Sequence, residues 1–219
     1  YTVQSGDSSS DLDYSSTSAL SLNSGTIKDL AGNNATISLA SPGASGSLAN
    51  NQDLVVNTNT PTISSVTSST TNGSYKEGDS ISITVNFSEA VNVVTTGGTP
   101  TLELETGSTD RTATYVSGSG TTALRFDYTV QDGDSSSDLC FTSTSALELN
   151  GGTIKNSVGT NSSLTLPSHS SSGSLSYNKD LVIDTTAPTI TNLTSSNSDG
   201  IYTTGDSINI SVNFSEAVN

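Results

Sequence analysis

The residues best suited to chemistry in this sequence are carboxylates on a short, Gly- and Ser-rich loop. The string YTVQDGDSSSDL at 128–139 sets Asp132, Asp134 and Asp138 within seven residues, with Gly133 between the first two. Nearly the same string, YTVQSGDSSSDL, occupies 1–12 and carries Asp7 and Asp11, with Asp13 just beyond it. A hard cation such as Ca²⁺ takes 6–8 oxygen ligands, and alternating acids on a Gly-kinked loop supply several of them. The chemistry such a loop suggests is therefore cation binding. Its spacing does not match an EF-hand. An ordinary turn, in which Asp and Ser side chains bond their own backbone, accounts for the same residues.

Nothing comparable points to catalysis. The chain holds one His and one Cys, so no Ser-His-Asp or Cys-His set recurs in it. His169 falls in a Ser-rich loop, and Cys140 stands where Asp13 stands in the other copy; both read as incidental. Glu103 and Glu105 alternate with Leu102 and Leu104 on an exposed strand face rather than facing a cleft, which disfavours a glycosidase pair. Lys28 and Lys155 recur in the string GTIK and read as solvated lysines near strand ends. The expectation is that this is not an enzyme.

The elements that position the acidic loop follow from a repeat. Sliding the 219-residue sequence on itself by 127 aligns Tyr1 with Tyr128 and runs without gaps to Asn92 and Asn219, with about 56 identities in 92 pairs. That period suits one whole β domain rather than a short solenoid unit. The linkers NTNTPTI (57–63) and DTTAPTI (184–190) set the phase. Proline keeps the residue before it extended and lacks a ladder donor, so these are short, stiff joints. The chain divides into the C-terminal part of one repeat (1–57), a complete repeat (58–184) and the N-terminal part of the next (185–219). It begins in mid-pattern and reads as a piece of something longer.

Composition supports thin β domains. Hydrophobic residues make up 31%, Met and Trp are absent, and Ser and Thr together supply more than a third of the chain. The apolar residues sit in short alternating runs rich in Val, Ile, Thr and Tyr, bounded by Gly, Asn, Asp and Ser. In the complete repeat the pattern predicts strands at Thr62–Thr67, Ile81–Phe87 (left by SEAVN at 88–92), Leu102–Leu104, Thr112–Val116 and Leu124–Val130. After the acidic loop it predicts short strands at Ala146–Leu149, Thr153–Ile154, Leu164–Leu166 and Leu181–Ile183. Seven or more strands with turn signals every ~8–12 residues read as an all-β, immunoglobulin-like sandwich. Arg111 and Arg125 are placed to pair across strands with Glu103 and Glu105.

Strand parity puts the acidic loop at the end of the domain that faces the next linker. Asp184 and the next repeat's Glu216 would then approach it, and a cation at the joint would draw on Asp184, Glu216 and Asp134 or Asp138. The net charge of −15 would repel phosphates and disfavours nucleic acid. No apolar run approaches ~18 residues, so no membrane span is expected. A single cysteine allows no disulfide within the chain.

GDSISITVNFSEAVNV, TPTLELETGSTDRTATYVSGSGTTALRFDYTVQDGD, LNGGTIK and LVIDTTAPTI resemble the tandem Ig-like repeats of very large bacterial surface and secreted proteins, including biofilm-associated and RTX-type adhesins. The resemblance covers the whole chain. It implies an extracellular, cell-surface location, a spacer role between neighbouring repeats of the same chain, and Ca²⁺ at or near domain joints. Glycans of a host or surface would be met by modules outside this segment. The chain departs from the pattern at Asn57 (opposite Asp184), at Cys140 (opposite Asp13) and at 156–161, where NSVGTN replaces the DLAGNN of 29–34.

The resulting expectation is a structural extender of a bacterial surface adhesin, stiffened by Ca²⁺ at its joints. A second reading is the subunit of an extracellular filament, assembled from copies of the chain by lateral or strand-exchange contacts. A third is a carbohydrate-binding module, although Tyr75, Tyr115, Tyr128 and Tyr177 form no evident platform.

Overall fold

The structure is a computed structural model, and it describes residues 1–218. The chain is nearly all β, with strands gathered into curled antiparallel sheets. Residues 1–57 contain two short paired strands, β1 (Ser8–Ser9) and β2 (Val56–Asn57), and one helical turn, α1 (Leu48–Asn51). The main body follows with β3 (Ile63–Ser68), β4 (Gly73–Tyr75), β5 (Ser80–Val94), β6 (Thr101–Glu105), β7 (Arg111–Ser117) and β8 (Thr121–Thr129). Then come β9 (Ser135–Ser136), β10 (Cys140–Phe141), β11 (Leu147–Glu148), β12 (Thr153–Lys155), the turn α2 (Leu175–Asn178) and β13 (Leu181–Asp184). A hairpin of β14 (Ile190–Thr194) and β15 (Ser211–Phe214) closes the described chain.

Strict alternation decides which side of each strand is wet. In β5, Ile81, Ile83, Val85 and Phe87 are buried while Ser82, Thr84 and Asn86 between them are half-exposed. Leu124, Phe126 and Tyr128 do the same in β8, and Leu102 and Leu104 in β6. These strands form one sheet in the order β10–β6–β7–β8–β5–β12, with β11 also on β6 and β3 also on β5. A second sheet, β4–β13–β9, brings Leu181 and Ile183 of β13 into the same core. Strand β13 runs parallel to β4 and antiparallel to β9. Among the described residues, all 23 buried apolar side chains lie between Val66 and Ile183. Each large one contributes roughly 1.5–3 kcal/mol through its removal from water.

Three strand expectations need correction. SEAVN does not leave β5: the strand continues through it to Val94, with an irregularity between Asn86 and Val91. There β5 exchanges its edge partner, pairing β3 up to Phe87 and β12 from Asn92. Gly73–Tyr75 forms β4, a strand absent from the predicted set because it is too short to show periodicity. Leu164–Leu166 forms no strand, although Leu166 is buried in the core. The double glycines have a steric role. A Cβ on Gly98 would collide with the Asn150 carbonyl, and one on Gly97 with that of Gly151, so the turns after β5 and β11 can cross.

Candidate functional site

The acidic loop follows β8 directly and is drawn into a hydrogen-bonded corner. Tyr128, the last buried residue of β8, is 2% exposed, and its hydroxyl donates to Asp134 Oδ2 at 2.6 Å. The Gln131 N–H donates to the same oxygen at 2.8 Å. Arg111 Nε, from β7, donates to Oδ1 at 2.7 Å. Gly133, at φ +83°, makes the kink that folds the loop back on itself. Asp134 is 1% exposed. Burial alone would raise its pKa, but the donors from Tyr128, Arg111 and Gln131 outweigh it and hold the carboxyl below its usual range. Burial, followed by the bond to Asp134, pushes the Tyr128 hydroxyl well up.

The loop is fastened to the linker. Thr185 Oγ1 donates to the Asp134 carbonyl at 2.9 Å and accepts from the Gly133 N–H at 3.1 Å. Beside it, Ser135 pairs with Asp184 across the β9–β13 ladder. The loop therefore lies at the end of the body that leads into the 184–190 linker, as strand parity predicts.

The same arrangement stands at the start of the chain. Tyr1 Oη and the Gln4 N–H both donate to Asp7 Oδ2, the second at 2.6 Å. Those two bonds, in that order, lower the Asp7 pKa. Thr58 Oγ1 donates to the Asp7 carbonyl at 3.0 Å and accepts from the Gly6 N–H at 2.9 Å. The Leu12 N–H donates to Leu54 O and the Leu139 N–H to Leu181 O, both at 2.8 Å. Each of these pairs maps onto its counterpart under the shift that carries Tyr1 onto Tyr128.

The acids that the sequence nominates as metal ligands do not converge. Asp134 and Asp7 turn their carboxylates toward internal donors, and Arg111 supplies the positive charge at Asp134 that a cation would otherwise supply. Asp132 is exposed on the loop. Asp138 lies on the surface; partial burial first, then the nearby Asp180, pushes its pKa up against the lowering effect of the Leu181 N–H. Asp11 accepts from the Leu54 N–H at 3.4 Å. Asp13 accepts from the N–H groups of Tyr14 and Gly43, both at 2.9 Å, and so closes its own loop. Asp184 Oδ1 accepts from the Thr186 N–H at 3.0 Å, and Glu216 is exposed beyond the last hairpin. Among the described residues, no three His, Cys, Asp or Glu side chains are placed to hold a metal ion together. The acidic loop thus has the geometry of the hydrogen-bonded turn, the alternative that its residue types left open.

One feature of the joints does fit a cation. Where the first linker meets the body, Asn57 Nδ2 donates to Glu89 Oε2 at 2.7 Å, while Glu89 Oε1 is buried without a hydrogen-bond partner. A buried carboxylate oxygen lacking a donor is an unsatisfied anion, which a cation would neutralise. Asp184 and Glu216 occupy the matching positions of the second linker.

The two arginines do not pair with Glu103 and Glu105. Arg111 reaches Asp134, and Arg125 makes a two-pronged contact with Asp127, at 2.8 and 2.7 Å, on its own strand. Glu103 accepts from Thr142 Oγ1 instead. Cys140 is buried and free, and the His169 ring leans on Phe141 with centroids 5.0 Å apart. Two shallow clefts sit at matching positions. One, of about 510 Å³, is lined by Thr17, Leu20 and Ile37; the other, of about 250 Å³, by Thr144, Leu147 and Leu164. Neither is lined by a titratable group.

Sequence reasoning missed Arg111 and Tyr128 as partners of Asp134, and Asp180 as the neighbour of Asp138. The spacing Tyr-x-x-Gln-x-x-Asp, present at 1–7 and 128–134, was the available signal for the corner. No helix among the described residues is long and apolar enough to cross a membrane. In comparisons with family models, with curated proteins and with solved structures, nothing matches this chain.

Proposed function

We propose that this chain is a run of tandem Ig-like β-sandwich units, repeating at the spacing that separates Tyr1 from Tyr128, that serves as a structural extender of a large extracellular bacterial surface protein. The observation that carries this reading is the corner tied to the linker. The same Tyr–Gln–Asp turn is fastened by the same linker threonine at Asp7/Thr58 and at Asp134/Thr185. A hydroxyl bonded twice to one loop restricts how the linker leaves the domain, and a Pro shortly after it (Pro61, Pro188) stiffens the exit. Units joined in this way transmit length and direction rather than chemistry, with stability set by each unit and its neighbours.

Calcium in this reading belongs to the joints: at the first, Glu89 Oε1 is the carboxylate oxygen without a donor, and at the second, Asp184 and Glu216 stand at the matching sequence positions and would have to be drawn together by the ion. Its effect is stiffening and added stability, which grows as RT ln(1 + [L]/Kd). Small-angle scattering of the chain, with and without EDTA and paired with thermal melts, tests both parts. The expected result is an elongated single-file particle whose melting temperature and maximum dimension fall on chelation. A compact particle would contradict the extender. An elongated particle indifferent to EDTA would keep the extender and remove the calcium.

A further inference from the structure

The chain places Asn directly before Gly at two positions, 72–73 and 150–151, and the fold treats them differently. An Asn-Gly pair is prone to deamidation, because the Gly nitrogen, with no Cβ beside it, closes freely on the Asn amide carbon. Asn72 is exposed just before β4, and among the described residues no hydrogen bond ties its side chain. Gly73 opens β4, an edge strand of its sheet, and its N–H donates to Asp180 O at 3.0 Å. It lies at φ +153°, where L side chains rarely sit, so the backbone itself calls for glycine after Asn72. Asn150 is held instead. It sits in a turn at φ +51°, and its Nδ2 donates to Thr101 Oγ1 at 2.8 Å and to Thr99 O at 3.1 Å. Its own carbonyl presses so closely on Gly98 that no Cβ would fit there.

The internal repeat supplies the product of such a reaction. The shift that carries Tyr1 onto Tyr128 also carries Asn72 onto Asp199 and Gly73 onto Gly200. The backbone around the two positions is framed alike. The Tyr75 hydroxyl donates to Thr71 O across Asn72, and the Tyr202 hydroxyl donates to Ser198 O across Asp199. A carboxylate therefore fits the frame that holds Asn72. At the other pair no acid stands in the matching copy, which has Asn23-Ser24.

We propose that Asn72 is a site of spontaneous deamidation, at which the complete repeat acquires after synthesis the acid that the next repeat encodes as Asp199. The Gly73 nitrogen is released from Asp180 O when the end of the edge strand frays. It loses its proton to solvent base and attacks Asn72 Cγ. The Cγ–Nδ2 bond breaks, Nδ2 takes up a proton and leaves as ammonia, and a succinimide ring closes. Water then opens the ring at either carbonyl, giving aspartate or isoaspartate; solvent is the only co-reactant. Either product adds a negative charge close to Asp180, where Lys179 is the neighbouring base, its Nζ held on Thr70 O at 2.7 Å. Isoaspartate also adds a carbon to the backbone just before β4 and draws Gly73 out of register with Leu181. Conversion thus loosens one short edge strand and leaves β5 and β8 in place. At Asn150 the same ring cannot close while two acceptors hold the leaving amide and the crossing turn is packed against Gly98.

Incubation of the 219-residue chain at mildly alkaline pH and physiological temperature, followed by trypsin and peptide fragmentation, tests the proposal. Asn72 falls in the peptide 29–76 and Asn150 in 126–155, so the two are read separately. In the folded chain the mass shift of an amide becoming an acid should accumulate at Asn72 while Asn150 keeps its amide. An isoaspartyl methyltransferase should label the converted peptide 29–76, and an Asn72→Gln variant should lose that label. In guanidinium both Asn-Gly pairs should convert at similar rates, because the fold no longer separates them. Conversion at Asn150 as fast as at Asn72 in the folded chain overturns the proposal. So does an Asn72 that stays an amide in the folded chain over a period in which the unfolded chain converts it.

Discussion

The hairpin β3–β5 and the hairpin β14–β15 make the same hydrogen bonds in opposite surroundings. Ser88 N–H donates to Thr62 O and Ser215 N–H to Thr189 O, both at 2.8 Å. Lys76 N–H donates to Asp79 Oδ2 at 2.9 Å and Thr203 N–H to Asp206 Oδ2 at 2.7 Å. Even the irregularity between the first two ladder pairs recurs. Yet one hairpin is the centre of a core and the other is exposed along its whole length. Local geometry in this chain is thus written in turn residues, caps and alternation, while burial requires the distant strands β6, β7 and β8. The two clefts teach the same lesson. Leu147 is covered where β11 pairs β6, and its counterpart Leu20 lines the larger, more open cleft.

Substitutions at matched positions should break this comparison cleanly. The largest contrast is expected at the corner. Asp134→Ala strands the Arg111 guanidinium and the buried Tyr128 hydroxyl, and should cost about 3–5 kcal/mol in urea unfolding. Asp7→Ala, on the exposed copy, should leave the main transition unchanged. A core truncation comes next: Ile83→Ala should cost about 2–5 kcal/mol, and Ile210→Ala less than about 0.5 kcal/mol in the monomer. Tyr128→Phe removes one donor to a buried carboxylate, about 1–2 kcal/mol, and Tyr1→Phe should be silent. The smallest effect is reserved for Arg125→Ala. Its pair with Asp127 lies on an exposed face, with Arg125 52% exposed, so the change in urea unfolding should be the smallest of the series and smaller still in high salt.

Acid unfolding sharpens the same comparison. Asp134 has a folded pKa below its unfolded value of about 3.9. Its stabilisation is therefore fully present above that value and is lost as pH falls through the folded pKa. Asp138 is shifted the other way, so protonating it relieves a cost as pH falls through its raised folded pKa. Asp134→Asn should flatten the stability loss on the acid side, and Asp138→Asn should raise stability near neutral pH while leaving that loss in place. Urea titrations between neutral pH and the carboxyl range read both.

The parts of the fold that were legible in the sequence are those with short-range causes. Ile81–Phe87 and Leu124–Val130 alternate without a break, and Gly-rich turns bracket them. The course of β5 through SEAVN was not legible, because the strand changes partners there and its pattern shifts with the new neighbour. Strand β4 is too short to have a period to read. At the site, charge and spacing showed that the acids matter, but ligand and cap look alike in one dimension. What separates them is Arg111, which is distant from Asp134 along the chain and meets it only because β7 lies beside β8.

Single-molecule stretching of the chain from its two ends tests the central claim most directly. If 58–184 is the one closed unit in this segment, acting as an element of an extended array, force should produce a single cooperative event. It should release about 127 residues, roughly 40 nm of contour at ~3.3 Å per residue, before the small correction for the folded length. The flanking segments should extend beforehand without a resolved step. Several steps of comparable size, or one step that consumes all 219 residues, would contradict the account.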